Sequence, residues 1–341
     1  MAFIPNFSIS SKLLQQVEAI AALRERISAA SIDLAWIPAL QKDSRARNAH
    51  ASTAIEGNPL TLEQVRAIEE GREVLSSDER SKREVFNYFA GLRFIEQQTK
   101  LERIRHEHLF ELHRILADAV MDQGKAGCYR TIQVRVAEHY PPPAQDVSAL
   151  MLELLDWWND EAPKLSPVLS SSILHYRFED IHPFADGNGR TGRALALWEL
   201  YRRGFDTHHI FSVDEYYWEN RQKYYEELAD VPKKYAGELS DWLEYSAEGL
   251  RLSLERAWMR IQKIGGASRS KILIKPKQEK LLLLLRDHGS MAPKEIWEAL
   301  SISRQGAMDI INPLLEAGII KKVGSKKTGQ YQLVNGGQEQ V

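Results

Sequence analysis

Apolar residues recur at helical spacing along most of this chain. Val85, Phe89, Leu92 and Ile95 follow one another at intervals of three or four residues, which places them on one face of an α-helix. Comparable spacing continues through the first 264 residues. The pattern predicts that most of the body is helical and that the fold class is mainly α.

Capping signals predict where two of these helices begin or end. Thr61 followed by Gln64 fits a capping box, in which each residue accepts a hydrogen bond from the backbone N–H of the other. A helix is therefore expected over residues 61–71. Gly204 follows the apolar segment 190–203 and is expected to end a second helix.

One short segment departs from the helical pattern. Polar and apolar residues alternate from Thr131 to Val136, which predicts a β-strand. The polar members are Thr131, Gln133 and Arg135, and the apolar ones are Ile132, Val134 and Val136. Pro141 to Pro143 cannot donate ladder hydrogen bonds, so they should end the return side of a small hairpin. The residues alone leave two roles open, a structural clip and a docking edge for another peptide.

The charge is distributed unevenly along the chain. The whole sequence has a net charge of −2, but 13 basic and 7 acidic residues lie from Lys263 to the end. An acidic body is therefore followed by a basic tail domain. After a helix that ends near Ile264, the residues GGAS at 265–268 predict a flexible joint at this boundary.

The tail has its own order of predicted elements. Three helices are expected, at 276–289, 292–300 and 303–318, followed by a β-hairpin at 319–334. This order resembles a winged helix-turn-helix domain. The expected divisions of the chain are an N-terminal helical region at 1–110, a core at 111–264 and a winged-helix domain at 269–341.

The composition excludes several classes of protein. In 341 residues, 43% are hydrophobic and 27% are charged, which is the usual balance of a soluble globular chain. The balanced charge argues against a chain coated for nucleic-acid or membrane binding. Cys128 is the single cysteine, so no internal disulfide is expected, and a reducing, cytoplasmic location follows. No stretch reaches the length of apolar sequence that a membrane span needs.

Residues 182–193, HPFADGNGRTGR, contain the densest group of chemically active side chains. Gly187, Gly189 and Gly192 match the dinucleotide pattern G-x-G-x-x-G. That pattern requires a preceding buried strand, whereas residues 170–184 predict a helix and a turn. We therefore reject a Rossmann nucleotide site and interpret the glycines in another way.

The same segment has the features of a polyphosphate site. Small residues between Asp186 and the start of a helix at Arg190 let backbone N–H groups approach an anion. Arg190 and Arg193 lie on one face of that helix and can bind further phosphate oxygens. Asp186 is a suitable Mg²⁺ ligand, and His182 is the group expected to accept a proton near neutral pH. A glycine turn beside a structural histidine is the plain alternative, which the co-occurrence of these groups disfavours.

The segment resembles the signature of the Fic family, H-P-F-x-D-G-N-G-R-x-x-R, with every fixed position filled. The similarity extends through FEDIHPF, GCYRTIQVRV and NRQKYYEEL and covers roughly residues 45–235. It implies a Fic-type helical bundle with a small β-hairpin flap, here with the Fic core at 111–264. The implied activity is transfer of AMP from ATP to a Ser, Thr or Tyr hydroxyl of a target protein, or of the enzyme itself.

The resemblance also implies a role for each residue of the signature. His182 would deprotonate the target hydroxyl, and Asp186 would hold Mg²⁺ on the α- and β-phosphates of the co-substrate ATP. Arg190 and Arg193 would bind the β- and γ-phosphates. The anion hole for the transferred phosphate would be formed by Gly187, Asn188 and Gly189. Phe184 would pack beneath this loop.

Two further parts of the site are implied outside the signature. The strand Thr131–Val136 would be the flap, which holds a target segment by edge pairing, so the resemblance favours the docking edge over the clip. Tyr224 and Tyr225 match a tyrosine pair near the nucleotide base, although their helical spacing also fits a core position.

Residues 52–57, STAIEG, are similar to the inhibitory motif [S/T]-x-x-x-E-[G/N] of one class of Fic proteins. Ser52 and Glu56 occupy its fixed positions. The resemblance implies that Glu56 pairs with Arg193 and prevents productive ATP binding. In some relatives this glutamate also aligns a water that removes AMP from a modified target, and the sequence leaves that reaction open.

The alternative of a different class is a DNA-binding regulator whose core senses nucleotide. Its recognition helix and wing would offer Arg304, Gln305, Met308, Asp309, Asn312, Lys321, Lys322, Lys326 and Lys327. These residue types include both base-reading and phosphate-contacting side chains. Winged-helix domains also dock proteins, so both partners stay open for the tail. The long amphipathic body is compatible with a homodimer.

Overall fold

The computed structural model describes residues 3–30, 36–74, 78–136, 139–205, 208–234, 237–267, 276–316, 319–324 and 329–334. The chain divides into two compact units. Unit 1 consists of Met1–Ser28 and Lys42–Trp258, and unit 2 consists of Ala29–Gln41 and Met259–Val341.

The described residues are mainly α-helical, as the periodicity predicts. The helices are α1 (Ser11–Ala29), α2 (Ile37–Ile55), α3 (Leu62–Glu69), α4 (Glu79–Gln97), α5 (His106–Ala117), α6 (Val147–Asp156), α7 (Pro167–Ile181), α8 (Asn188–Arg202), α9 (Asp214–Glu219), α10 (Arg221–Asp230), α11 (Ser240–Ala267), α12 (Pro276–His288), α13 (Pro293–Ala299) and α14 (Arg304–Glu316). Short 3₁₀ or π turns lie at Ala144–Asp146, Trp157–Glu161, Ala162–Lys164 and Val231–Lys233. Within the described ranges, no helix is both long enough and apolar enough to cross a bilayer.

The predicted capping signals are confirmed. Thr61 Oγ1 accepts a hydrogen bond from the Gln64 backbone N–H, and the Gln64 side chain accepts one from the Thr61 N–H at 2.8 Å. This closed box begins α3. At the other boundary, α8 ends at Arg202 and Gly204 adopts a left-handed φ of 61°, which glycine tolerates without steric cost.

Helices α7 and α8 pack along each other at the centre of unit 1. Eleven of the 15 residues of α7 are buried, so this helix is covered on nearly all sides rather than on one stripe. Helix α4 packs against both α5 and α8. The pairing of α7 with α8 brings the C-terminus of one helix close to the glycine-rich N-terminus of the other.

A buried carboxylate joins α7 and α8 away from that meeting point. Glu199 on α8 accepts hydrogen bonds from Trp158 Nε1 at 2.7 Å, from Ser170 Oγ on α7 at 2.6 Å and from Arg203 Nη1 at 3.2 Å. Its side chain is 1% exposed. Because the buried Trp158 and Ser170 donors would lose their acceptor without this carboxylate, Glu199 holds the two central helices in register.

The segment predicted as a strand forms no regular ladder, which corrects the prediction for Thr131–Val136. Among the described residues of this segment, one bridge is present: Val136 and His139 exchange backbone hydrogen bonds of 3.1 and 2.8 Å. Residues 137 and 138 lie outside the described part. Side chains bind the backbone here instead, since Arg130 donates to the carbonyls of Ile132 and Pro142, and Gln133 Nε2 donates to Pro141 O at 2.9 Å.

Unit 2 has the predicted order of three helices and a hairpin. Its strands are β1 (Ser290–Met291), β2 (Ile320–Val323) and β3 (Gln330–Leu333), arranged antiparallel in the order β1-β3-β2. In the β2–β3 hairpin, Ile320 pairs with Leu333 and Val323 with Gln330. Its core is built from all of these elements and includes Leu281, Leu285, Ile296, Ile311, Leu314, Ile320 and Tyr331.

The flexible joint expected at residues 265–268 does not interrupt the helix at residues 265–267. Helix α11 continues through Gly265 and Gly266 to Ala267, so the prediction that it ends near Ile264 is wrong by three residues. Glycine lowers helix propensity by about 1 kcal/mol but does not forbid the helical conformation. Ser268 lies outside the described residues.

We predict that Glu199→Ala destabilises the protein by about 2–5 kcal/mol, because it leaves the buried Trp158 indole N–H and the buried Ser170 hydroxyl without their acceptor, at about 1–3 kcal/mol each. Urea unfolding followed by circular dichroism measures this loss. Glu161→Ala is the matched control, since Glu161 is 55% exposed and pairs with exposed Lys164, and it should change stability by no more than about 0.5 kcal/mol. Equal effects of the two substitutions would contradict the assignment.

Candidate active site

His182 lies where α7 ends, in a backbone conformation that is uncommon for a side-chain-bearing residue. Its φ and ψ are 49° and 60°, in the left-handed region. The His182 N–H donates to Phe178 O, and Arg130 Nε donates to His182 O, each at 2.9 Å. These bonds hold the turn that carries the imidazole.

Asn188 closes the loop that follows. Its Nδ2 donates to Phe184 O and its Oδ1 accepts from Phe184 N, both at 2.9 Å. Phe184 is fully buried beneath the loop and stacks on His113 with ring centroids 3.6 Å apart. The side chain of Asn188 is therefore occupied by the loop itself, which leaves its backbone N–H as its contribution to an anion hole.

His113, which the sequence analysis does not single out, supports the same loop from α5. Its Nδ1 accepts from Gly127 N and its Nε2 bonds to Asp186 O, both at 2.9 Å. Because Nδ1 accepts, the imidazole is neutral and Nε2 is the donor. Burial lowers the pKa of His113 to about 4, in agreement with that state. Nothing in the local sequence distinguishes this histidine from other residues of an amphipathic helix.

The Asp186 carboxylate is held in place but keeps free lone pairs. Its Oδ1 accepts from Gly187 N at 2.6 Å, and its Oδ2 accepts from Asp122 N at 2.9 Å. Each oxygen retains a lone pair that could bind a cation. No group of three or more metal-binding side chains occurs in the described ranges. Asp186 therefore suits a Mg²⁺ ion whose other ligands are phosphates and water, as is usual for this ion.

Arg190 is buried with unused hydrogen-bond donors. Its Nε and Nη1 find no hydrogen-bond partner in the described part of the chain, and its side chain is 5% exposed. Glu84 Oε1 and Asp186 Oδ1 lie 3.5 and 3.9 Å away, respectively, from its guanidinium nitrogens. Since buried donors are nearly always satisfied, the guanidinium is suited to an anion that enters beside Asp186.

Arg193 is bound by both fixed residues of the inhibitory motif. Its Nη2 donates to Glu56 Oε1 at 2.6 Å and to Ser52 O at 2.9 Å, and its Nε donates to Ser52 Oγ at 2.8 Å. Burial opposes the charge of Arg193, but the carboxylate of Glu56 contributes to holding its pKa well above the usual value. The guanidinium is charged, and its Nε and Nη2 groups donate to Ser52 and Glu56.

The Glu56 carboxylate also lies against the glycine-rich start of α8. A Cβ atom placed on Gly189 would be only 2.3 Å from Glu56 Oε1 and 3.1 Å from Arg193 Nη1. The carboxylate thus occupies the space directly over the N-terminal turn, where an anionic ligand would be bound. An anionic ligand at this position would have to compete with Glu56 both for the Arg193 guanidinium and for the N-terminus of α8.

A cavity of about 790 Å³ lies in unit 1 beside several of these groups. His182, Gly189, Arg193, Glu56 and part of α10 form its walls. The volume falls in the range of small-molecule sites. An elongated charged molecule could therefore reach both His182 and Arg193 in one cavity.

The two adjacent tyrosines lie in different environments, and both line this cavity. Tyr224 is 1% exposed, and its OH is 3.1 Å from His175 Nε2 and 3.5 Å from Arg193 Nη1. Tyr225 is 41% exposed and donates from its OH to Ile55 O at 3.1 Å. Tyr224 therefore supports Arg193 from the core, and Tyr225 presents part of its ring to the cavity.

The residues named for DNA contact lie on the surface of unit 2. Arg304, Gln305, Asp309 and Asn312 of α14 are exposed, as are Lys321 and Lys322 of β2, while Met308 is half-buried. Gln305 Nε2 donates to Asp309 Oδ1 at 3.0 Å. Lys326 and Lys327 lie outside the described residues.

Residues 103–200 match the Fic/DOC family. The protein adenylyltransferase fic-1 of Caenorhabditis briggsae is 35% identical over 212 residues, which are 60% of this chain and 39% of that protein. The protein adenylyltransferase Fic of Drosophila willistoni is 37% identical over 171 residues, which are 48% of this chain and 34% of that protein. The chain thus spans about two fifths of the length of these curated relatives.

Solved structures show the same fold. A Fic family protein from Desulfovibrio desulfuricans has a TM-score of 0.66 at 27% identity and covers 99% of this chain and 100% of its own. A fragment of Fic-1 from Caenorhabditis elegans has a TM-score of 0.65 at 27% identity, covering 74% of this chain and 73% of that fragment.

The chain therefore has a helical core like that of these Fic structures. Its residues 103–200, which include the signature loop, match the Fic/DOC family.

We predict that buried His175 makes stability fall as the pH is lowered. Burial and the nearby charge of Arg193 lower the pKa of His175 to about 3, below its usual value of about 6.5 in the unfolded chain. Below pH 6.5 the unfolded state therefore takes up a proton that the native state does not, until the pH nears 3.

His175→Gln removes the imidazole that takes up this proton. The stability of the unchanged protein, relative to this variant, should decrease by up to about 1.4 kcal/mol per pH unit below pH 6.5. Urea unfolding of both proteins at pH 7, 6 and 5 measures the difference. A difference that does not vary with pH would refute the prediction.

Proposed function

We propose that this chain is a protein adenylyltransferase that moves AMP from ATP to a hydroxyl side chain of a target protein and of itself. The observation that carries the proposal is a single cavity joining His182, the N-terminal turn of α8 and buried Arg193. The names of the curated relatives support the same reaction.

The residues divide the work along a bound ATP. Arg193 would bind the γ-phosphate after Glu56 withdraws, and Arg190 would use its unpaired donors on the β-phosphate. The backbone N–H groups of Asn188 and Gly189 would stabilise the charge that develops on the α-phosphate, as pre-organised donors do in many enzymes, while the Gly187 N–H donates to Asp186 Oδ1. Asp186 would hold Mg²⁺, which neutralises phosphate charge when it is bound.

His182 would act as the general base for the incoming hydroxyl. The imidazole lines the cavity, and Arg130 holds the carbonyl of the same residue. A base positioned in this way typically contributes about 10²- to 10⁴-fold to the rate. The hydroxyl would be supplied by a target segment docked along residues 131–136, whose backbone forms one bridge with the return side.

Glu56 would inhibit the enzyme by occupying the phosphate site. Its bond to Arg193 and its position over Gly189 both have to be given up before a triphosphate can lie across α8. The Arg193 side chain is 1% exposed and that of Glu56 is 34% exposed, so loss of Glu56 leaves a buried guanidinium uncompensated unless another charge replaces the carboxylate. The γ-phosphate is that replacement, so inhibition and productive binding exclude each other.

We predict that Glu56→Gly raises self-modification by about tenfold or more, because Arg193 becomes available to the γ-phosphate. Glu56 directly follows α2, which ends at Ile55, so glycine costs little helix stability here. Incorporation of label from α-labelled ATP measures the rate. Glu63→Gly, at a carboxylate in the first turn of α3, is the matched control. An unchanged rate in Glu56→Gly would contradict the inhibitory role.

We predict that His182→Ala, in the Glu56→Gly background, abolishes transfer while ATP affinity stays within about threefold. The imidazole accepts the proton in the transition state, whereas the phosphates are held by other groups, so the loss should appear in kcat. Labelled transfer and calorimetric titration with ATP and magnesium measure the two quantities. Transfer that survives in this variant would remove His182 from the role of base.

A further inference from the structure

The carboxylate of Glu179 lies beside the imidazole of His182. Glu179 precedes His182 by three residues, and its Oε2 lies 3.7 Å from His182 Nδ1. Among the described residues, neither His182 Nδ1 nor Glu179 Oε1 has a hydrogen-bond partner, and both atoms are buried. Because buried polar atoms are nearly always paired, two unpaired atoms on neighbouring groups point to a contact that closes in the working enzyme.

The distance itself favours direct contact over a bridging water. At 3.7 Å, His182 Nδ1 and Glu179 Oε2 are too far apart for a well-formed hydrogen bond. They are also too close for a water between them, which would need a hydrogen bond of about 2.8 Å on each side. Hydrogen bonds between catalytic groups are often long in unliganded enzymes and shorten when the substrate binds.

Gly192 provides the space in which this carboxylate lies. A Cβ atom at position 192 would be 2.4 Å from Glu179 Oε1 and 3.2 Å from Phe178 Cδ1. Gly192 is inside α8, where glycine costs about 1 kcal/mol relative to alanine, and it is absent from the glycines with positive φ. The backbone conformation therefore does not require glycine, whereas the position of Glu179 does.

Other carboxylates that line the cavity already have partners. Glu56 binds Arg193, and Asp180 Oδ2 accepts from Arg177 Nη1 at 2.5 Å. Glu226 accepts from Gln222 Nε2 at 2.9 Å. Glu179 is the cavity carboxylate that lies near the imidazole of His182.

The burial of Nδ1 also decides which nitrogen is available to a substrate. Nδ1 is buried, but 17% of the His182 side chain is exposed and the residue lines the cavity. The exposed part must therefore lie elsewhere on the ring, whose other nitrogen is Nε2. A proton fixed on Nδ1 leaves Nε2 as an acceptor.

We propose that Glu179 is a positioning residue that accepts the Nδ1–H of His182 and so keeps Nε2 unprotonated for the target hydroxyl. This inference rests on the proposed function. In the transfer step, the hydroxyl oxygen forms a bond to the α-phosphorus and its proton passes to Nε2. The bond from the α-phosphorus to the bridging oxygen breaks, and pyrophosphate leaves with the electron pair. The carboxylate then stabilises the imidazolium, as the acid of a serine-protease triad does.

The direct test is the tautomer of His182 in the full chain, measured from ¹⁵N chemical shifts of labelled histidines at a pH where the ring is neutral. His182→Ala assigns the signal. We expect a proton on Nδ1 in the unchanged protein and in Glu179→Gln, which keeps an acceptor. In Glu179→Leu the proton should move towards Nε2. Glu226→Leu, which removes another carboxylate of the cavity, should leave the tautomer unchanged.

Gly192→Ala tests the same contact with Glu179 intact, and it serves if Glu179→Leu does not fold. Its methyl group should displace the carboxylate and change the tautomer in the same direction as Glu179→Leu. Adding Gly192→Ala to Glu179→Leu should have no further effect, because both act through one contact. An identical tautomer in the unchanged protein, Glu179→Leu and Gly192→Ala would overturn the proposal.

Kinetics in the Glu56→Gly background separate this proposal from the proposed function. We expect Glu179→Leu to lower kcat by about 10- to 100-fold, part of the 10²- to 10⁴-fold that a general base contributes, with the KM for ATP unchanged. Glu179→Gln should recover a large part of the loss. A kcat unchanged in Glu179→Leu would overturn the positioning role. Absence of transfer in Glu56→Gly itself would refute the proposed function, and the tautomer would still decide the pairing.

Discussion

The buried charge of Arg193 is the constraint on which the site depends. A guanidinium that is 1% exposed is stable only if its charge and its donors are satisfied inside the protein. Two oxygens of Ser52 accept hydrogen bonds from the guanidinium, and Glu56 supplies the negative charge. A ligand that displaces Glu56 has to bring a negative charge of its own. The same requirement underlies both proposals, inhibition by Glu56 and recognition of a polyphosphate.

The packing of α7 on α8 places His182 and the N-terminal turn of α8 near the Arg193 guanidinium. The C-terminus of α7 presents His182 and the N-terminus of α8 presents backbone N–H groups, so a base and an anion site meet without long loops. Glu199 fixes the two helices behind the site. The connecting loop is held by Asn188 and His113, and neither residue is among those that line the cavity.

The local patterns of the sequence predicted much of this arrangement. The capping box at Thr61 and the glycine end of α8 are properties of a few adjacent residues, so they could be read directly. The signature 182–193 likewise brings its own residues together, and STAIEG could be linked to Arg193 only through the family resemblance. The pairing of Glu56 with Arg193 joins residues 137 positions apart, which no local pattern specifies.

The features that the sequence analysis missed depend on tertiary contacts. Residues 131–136 alternate like a strand, but Arg130 and Gln133 take the carbonyls of that region and of its return side, so no ladder forms. His113 and Glu179 look like ordinary residues of helices until the loop and α8 are packed against them. Gly192 matches a variable position of the signature. The structure explains the glycine, because a Cβ atom at this position would meet the Glu179 carboxylate.

The central claim is that one buried guanidinium serves Glu56 and a triphosphate in turn. A crystal structure of the Glu56→Gly chain with a non-hydrolysable ATP analogue and magnesium, compared with that of the unchanged chain, tests it most directly. The account predicts the γ-phosphate on Arg193 in the variant and the α-phosphate over residues 187–189 beside His182. A nucleotide bound elsewhere, or a triphosphate seated in this way in the unchanged chain with the bond between Glu56 and Arg193 intact, would contradict the account.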